Sequence, residues 1–244
     1  MFRHIFWIVA ALLVAAETAA QGAACRTSSD YDVTVDEGAL QFERKTGPAQ
    51  SIEMRRGALA INQKPITLGP DDKKRVVTYE ARVRELIPRI KTIGQRGVDL
   101  MVAAIREEAA KASPQSAASP ELNARVDARA QELKRRIADS RTSKEWHPDA
   151  IAGYMTGVIA DVAPLIAGDL SQKAVDLTMK GDLSGVMALT DKALQLRASL
   201  EQRIRTRLET LQPQIDRLCP SLRELDRLES TIGAARIDLI KVDP

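Results

Sequence analysis

Between residues 30 and 68, apolar and polar positions alternate. Tyr31-Asp-Val-Thr-Val is followed by Leu40 and Phe42, Ile52 and Met54, Leu59 and Ile61, and Ile66 and Leu68. A period of two predicts short strands with one buried face. The intervening Asp36-Glu37-Gly38, Gly47-Pro48, Arg56-Gly57 and Asn62-Gln63-Lys64 are turn material. The expectation is a small antiparallel β-meander, too thin to stand without something to pack on.

The period then changes. Gly69-Pro70-Asp71-Asp72 reads as a helix start with acidic caps, and Val76, Tyr79, Val83, Leu86, Ile90 and Ile93 follow at spacings of three and four. Pro88 inside this run predicts a kink about one turn back. Gly94 and Gly97 weaken the helix, and Val98, Val102 and Ile105 carry it to about Lys111. The Ser/Ala/Pro stretch Ser113 to Pro120 reads as a linker. A second helix covers Glu121 to about Ser140, with Leu122, Val126, Leu133 and Ile137 on one side, and the chain turns at Trp146-His147-Pro148.

Residues 149–180 are apolar and rich in Gly and Ala. Gly153 and Gly157 form a GxxxG pair, the spacing that lets helices approach closely. Asp161 and Pro164 argue against a membrane span, so a central helix buried among its neighbours is expected, with a bilayer-inserting hairpin as the alternative. A last long helical stretch starts at Asp182 and carries Val186, Leu189, Ala193, Leu196, Leu200 and Ile204. Its seam continues through Leu208, Leu211, Ile215, Leu218, Leu222 and Leu225, with a stutter around Ile204. Pro213 and Pro220 should bend or break it near Cys219.

The first residues have a different character. Met-Phe-Arg-His precedes an apolar run from Ile5 to Ala16, then small residues up to Cys25. This is the pattern of a secretory signal peptide over residues 1–24, cleaved after Ala20 or Ala24, and the run is too short for a bilayer span. An exported chain meets an oxidising compartment, so Cys25 and Cys219 are expected to form a disulfide. The alternative is a lipoprotein anchored through Cys25, since Gly22-Ala23-Ala24-Cys25 resembles a degraded lipobox. The lack of a Leu-like residue at −3 weighs against it.

Composition narrows the chemistry. Aromatic residues are 3% of the chain, and loss of residues 1–24 leaves Tyr31, Phe42, Tyr79, Trp146 and Tyr154, with His147 as the last histidine. Stacking platforms for bases or sugars are thereby disfavoured. The net charge is +3, and loss of Arg3 with Glu17 leaves it unchanged. Lys73-Lys74-Arg75 and Lys134-Arg135-Arg136 both lie among acids, so nucleic acid is not an expected partner. No HExxH, CxxC, P-loop, GxGxxG or GxSxG motif occurs, so neither a metal nor a cofactor is implied. His147 reads as a surface or capping residue, and Ser184-Gly185 as a helix-start turn. Asp71-Asp72 and Glu107-Glu108 read as caps and solvated helix faces.

Asn62-Gln-Lys-Pro-Ile-Thr-Leu68, followed by Tyr79-Glu-Ala81 and Leu86-Ile-Pro88, resembles the YggN family of exported Gram-negative proteins of unknown function. In its pattern an Asn-x-Lys-x-x-x-Leu turn and strand lead into a helix bearing Tyr and later Pro. Asn62, Lys64, Leu68, Tyr79, Ala81 and Pro88 match. Met155, Gly157 and Asp161 fit its small-residue helix, and Cys25 and Cys219 look like its two terminal cysteines. The chain departs at Gln63, where the family turn can carry Gly, and in the linker. The resemblance implies a periplasmic protein and supplies no active-site residues.

The expected fold is α+β and mostly α. A meander over 25–70 packs on an elongated, partly coiled-coil-like helical bundle over 71–244, forming one unit with it. The leading functional expectation is a non-enzymatic interaction or envelope-associated protein that binds an unknown periplasmic or envelope protein. The alternatives are a lipid- or membrane-surface-binding protein and an unrecognised hydrolase.

Overall fold

The structure, a computed structural model, describes residues 26–233 and 237–243. The segment expected to be a signal peptide, with both cleavage positions, and Cys25 lie outside the described residues. The fold is α+β and mostly α, as the patterning predicts. The chain divides into two compact units. One contains the described residues up to Ile93, with Asp139–Ala150 and the chain from Gln212 onward; the other contains Gly94–Ala138 and Ile151–Leu211.

The first unit holds the meander. Strands β2 (Asp32–Val35), β3 (Leu40–Glu43), β4 (Ser51–Arg55), β5 (Ala58–Ile61) and β6 (Lys64–Ile66) lie side by side in sequence order, all antiparallel. Their register aligns Val33, Phe42, Ile52 and Ile61 in one row and Leu40, Met54, Leu59 and Ile66 in the next. Register in a half-buried sheet is fixed this way, because a one-residue slip would turn every apolar side chain to water. The two tight hairpins follow from backbone chemistry. Arg56 and Gly57 have φ of 51° and 80°, and Asn62 and Gln63 have φ of 49° and 64°, the paired left-handed residues of type I′ turns. At Gly57 a Cβ would lie 2.9 Å from Val77 Cγ2, so glycine also permits close approach of the helix below.

That helix is α1 (Pro70–Ala112), which runs through Pro88 without interruption. Its expected seam is the observed one: Val76, Tyr79, Val83, Leu86 and Ile90 are buried against the sheet and against α7 (Cys219–Ser230). Leu218, Leu222 and Leu225 complete this core, together with Ile237, Leu239 and Ile240 of the C-terminal segment. A second, two-stranded sheet joins β1 (Arg26–Ser28) to β7 (Lys241–Asp243), segments far apart in the chain whose pairing no local pattern predicts.

The second unit is helical. It contains the part of α1 from Gly94, α2 (Pro114–Ala118), α3 (Pro120–Asp139), α4 (Pro148–Met179) and α5 (Leu183–Glu209). Ile105, Val126, Val162, Ile166, Leu200 and Ile204 lie at its core. The expected linker is instead compact: Ser113 caps α2 by accepting the Ser116 amide at 2.9 Å, Pro114 starts the helix, and both serines are buried. The expected break near Cys219 is found, since α5 ends at Glu209 and Pro213 and Pro220 each take the second position of a new helix, α6 (Gln212–Asp216) and α7.

The apolar helix α4 differs from expectation. Val158, Ile159, Val162, Ile166 and Leu170 are buried, but only 22% of its most apolar 18-residue window is. Ala152, Gly153, Thr156, Gly157, Ala160, Pro164 and Gly168 face outward. Uniform apolarity hid this division, because a helix with no polar side gives no sign of which side is covered.

Candidate functional site

The turns of the meander are held by side chains. Glu80, 8% exposed, accepts the amides of Arg56 at 3.1 Å and Gly57 at 2.9 Å through its two oxygens. Successive amides in a left-handed turn form an anion-binding concavity, and here the chain supplies its own carboxylate. Asn62 acts likewise on the neighbouring loop: its Oδ1 accepts the amides of Gln50 and Ser51, and its Nδ2 donates to the Pro48 carbonyl at 2.7 Å.

Deeper in the same unit, Tyr79 donates to Glu229 Oε2 at 3.2 Å, while Oε1 accepts the amides of Leu239 at 2.8 Å and Ile240 at 3.0 Å. Glu229 is 2% exposed. Burial pushes its carboxyl up to about 8, helped by the charge of Asp226 and opposed by the three donors. Burial, then the charge of Glu229, raises the Tyr79 phenol well above its ordinary value. The group therefore clamps the C-terminal segment to α1.

His147 lies on the strap Asp139–Ala150 along the free edge of β2. The Arg141 carbonyl accepts the Val35 amide, and Ser143 Oγ accepts the Val33 amide. Asp32 Oδ1 is shared by Ser143 at 3.1 Å and His147 Nε2 at 2.6 Å. A serine–histidine–carboxylate set is present in composition, but the serine proton is directed to the carboxylate rather than to an imidazole base. As an array it closes a sheet edge, which would otherwise offer unpaired backbone groups. His147 is a surface residue, as its sequence context suggests.

In the second unit, Glu107 and Glu108 are not the solvated pair expected. Glu108 is 7% exposed and meets Arg203 Nε at 2.5 Å and the Ser199 hydroxyl, while Arg207 pairs with Glu107. Burial would raise Glu108, but the hydrogen bonds from Ser199 and Arg203 outweigh it and hold its carboxyl below the ordinary value. A groove of about 420 Å³ lies over these residues. Its arginines are neutralised by its own glutamates, so it presents no net charge to a ligand. Ser184-Gly185 is the helix start expected, with the Gly185 amide capped by Asp182 at 2.9 Å. Asp72 accepts from Arg75 at 2.7 Å and from the Gly233 amide at 3.2 Å.

Cys219 is buried at the first turn of α7, and its expected partner Cys25 lies outside the described residues. Among the described residues no three His, Cys, Asp or Glu side chains gather as a metal would require. Glu80 and Glu229 escaped the sequence reading, although a signal existed. Glu229 continues the apolar spacing of Leu218, Leu222 and Leu225, and a carboxylate on such a stripe must have a partner.

Fold and polar chemistry together define a two-unit α+β protein in which the buried polar clusters secure turns and chain ends. The family described as protein of unknown function (DUF2884) matches residues 25–239, and the chain belongs to that uncharacterised family. No curated protein and no solved structure matches the chain.

Proposed function

We propose that the chain is a non-enzymatic, exported envelope protein of the periplasm, of the YggN type, whose helical unit docks a partner helix on the outer face of α4. One observation carries this reading. α4 is apolar enough to cross a membrane, with a mean hydropathy of 1.6, yet only 22% of that window is buried, and the side bearing Gly153, Gly157, Ala160, Pro164 and Gly168 is exposed. Gly153, Gly157 and Gly168 have no atom within 4 Å of where a Cβ would stand. A face of Gly, Ala and Thr favours a helix over acyl chains, because small side chains allow backbone approach but bury little area in lipid.

Pull-down from a periplasmic extract with the full exported chain tests the reading. A protein enriched by the wild type and lost with Gly157→Leu, which fills open space, supports it. Enrichment unaffected by Gly157→Leu, or no enrichment, overturns it.

The hydropathy of α4 also motivates the membrane-surface reading. Val158 and Ile159 face the core, so a substitution that reads lipid contact belongs on the opposite, exposed face. Liposome flotation is better compared between wild type and Ala160→Glu on the exposed face. Flotation that this charge abolishes favours lipid.

A further inference from the structure

Residues 237–243 are held in the first unit by few attachments, and one of them is a buried acid. Among the described residues their backbone joins no ladder but that of β1, through the pairs Arg26–Asp243, Thr27–Val242 and Ser28–Lys241. Ile237, Leu239 and Ile240 are buried, whereas Asp238 and Lys241 are exposed and pair with each other at 3.2 Å. The amides of Leu239 and Ile240 both end on one oxygen of Glu229. The five strands of the meander are laddered to one another without this segment, and the seam of α1 packs on the sheet and on α7. Detaching the segment therefore breaks no other element, which is the condition for an opening smaller than unfolding.

The surroundings of Glu229 make its attachment sensitive to ionisation. Among the described residues no lysine or arginine forms an ion pair with it. From α1 it meets the Tyr79 hydroxyl, and from its own helix the charge of Asp226. Asp238 of the segment acts on Asp226, so two carboxyl groups already oppose each other between α7 and the segment. Tyr31, ahead of β2, is influenced by both Glu229 and Asp238. The cation on that side, Arg44, is engaged with the Tyr31 ring at 4.7 Å and with the Ala49 carbonyl. A negative charge on Glu229 thus has amide and hydroxyl donors but no counter-ion while the segment is in place. Once the segment leaves, water reaches the carboxyl and solvates that charge.

We propose that residues 237–243 are a pH-released strap: loss of the Glu229 proton detaches them from α7 and β1 while α1, α7 and the meander stay folded. The inference is independent of the proposed function, which rests on α4. It also goes beyond the effect of Glu229 on overall stability, since it assigns the proton to a local opening. Burial under the strap holds the carboxyl at about 8, against an ordinary 4.5 when it is hydrated. The closed form binds the proton more tightly, so low pH favours it. Opening should rise about tenfold per pH unit between about 5 and 8 and level off above. Release bares the slot filled by Leu239 and leaves the edge of β1 unpaired.

Hydrogen exchange of the full exported chain from about pH 5 to 9, corrected for the intrinsic rate, reads the opening. In the wild type, amides of β1, Leu239, Ile240 and β7 should be at least about tenfold less protected than those of Val76, Tyr79 and Val83 at every pH. Their protection should fall about tenfold per unit up to about pH 8. Glu229→Gln keeps an acceptor for both amides but has no proton to lose, and should abolish that slope. Leu239→Ala weakens the apolar grip and leaves the carboxyl alone, so it should lower protection of the strap at every pH and keep the slope. Strap amides as protected as those of α1 would make detachment and unfolding one event and overturn the proposal. Wild-type strap protection that does not change with pH, or a slope that Glu229→Gln retains, overturns it as well. The wild-type profile needs no substitution, so it decides the matter even where a variant fails to fold.

Discussion

Tyr79 and Glu229 stand 150 residues apart in the chain and 3.2 Å apart in the fold, hydroxyl to carboxyl group, with neither side chain open to water. The same carboxyl group holds the amides of Leu239 and Ile240, so the first long helix and the C-terminal segment share a single acidic residue.

Glu229 has a consequence for pH. Its carboxyl is near 8 in the folded chain against an ordinary value of 4.5. A raised pKa means the folded state binds the proton more tightly than the unfolded state. Its stabilising contribution is therefore complete below about 4.5 and lost as pH rises through about 8, by at most about 5 kcal/mol. Urea midpoints of wild type and Glu229→Gln at pH 5 and pH 8.5 check this. Wild type should lose more between the two values, and parallel losses would remove Glu229 as the cause.

Glu80 should be needed for the meander. Replacing it with Ala leaves the Arg56 and Gly57 amides without their acceptor and should cost about 2–4 kcal/mol. Glu80→Gln, which keeps one acceptor, should cost less. Equal and negligible losses in urea unfolding would show that water replaces the carboxylate.

Gln63 occupies a left-handed position that glycine takes without strain. Gln63→Gly should stabilise the fold by roughly 0.5–1 kcal/mol, relief of strain exceeding the added freedom of the unfolded chain. Gln63→Val should do the reverse. Thermal unfolding of the three chains gives the order, and a less stable Gly variant would contradict the turn assignment.

For the cysteines we propose the Cys25–Cys219 disulfide, on the ground that an exported chain meets an oxidising compartment. Mass spectrometry of the exported protein without reduction should show one cross-linked peptide pair lacking two hydrogens. Two free thiols, or a diacyl group on Cys25, would refute it.

Much of this fold can be read directly from spacing. Period two gives five strands, and the three-four seam of Val76 to Ile90 marks the face of α1 that is buried. Local turn chemistry places the hairpins at Arg56-Gly57 and Asn62-Gln63. The motif residues that carry the family resemblance also acquire physical roles: Asn62 ties two loops together and Tyr79 binds Glu229.

Other features are invisible without the third dimension. Ser113 to Pro120 has the composition of a linker, and only packing shows that Ser113 and Ser116 cap each other in a buried turn. The strand pair β1–β7, the strap of Arg141 to His147 on β2, and the burial of Glu108 depend on partners far along the chain. The sequence alone therefore determined the elements, their apolar faces and the tight turns, since those follow from backbone preference and the neighbours of each residue. Tertiary structure decided which carboxylates are buried, which chain ends are clamped, and which side of the apolar helix α4 stays open. Each of these is a competition between burial and hydration, and its outcome depends on what the fold brings alongside.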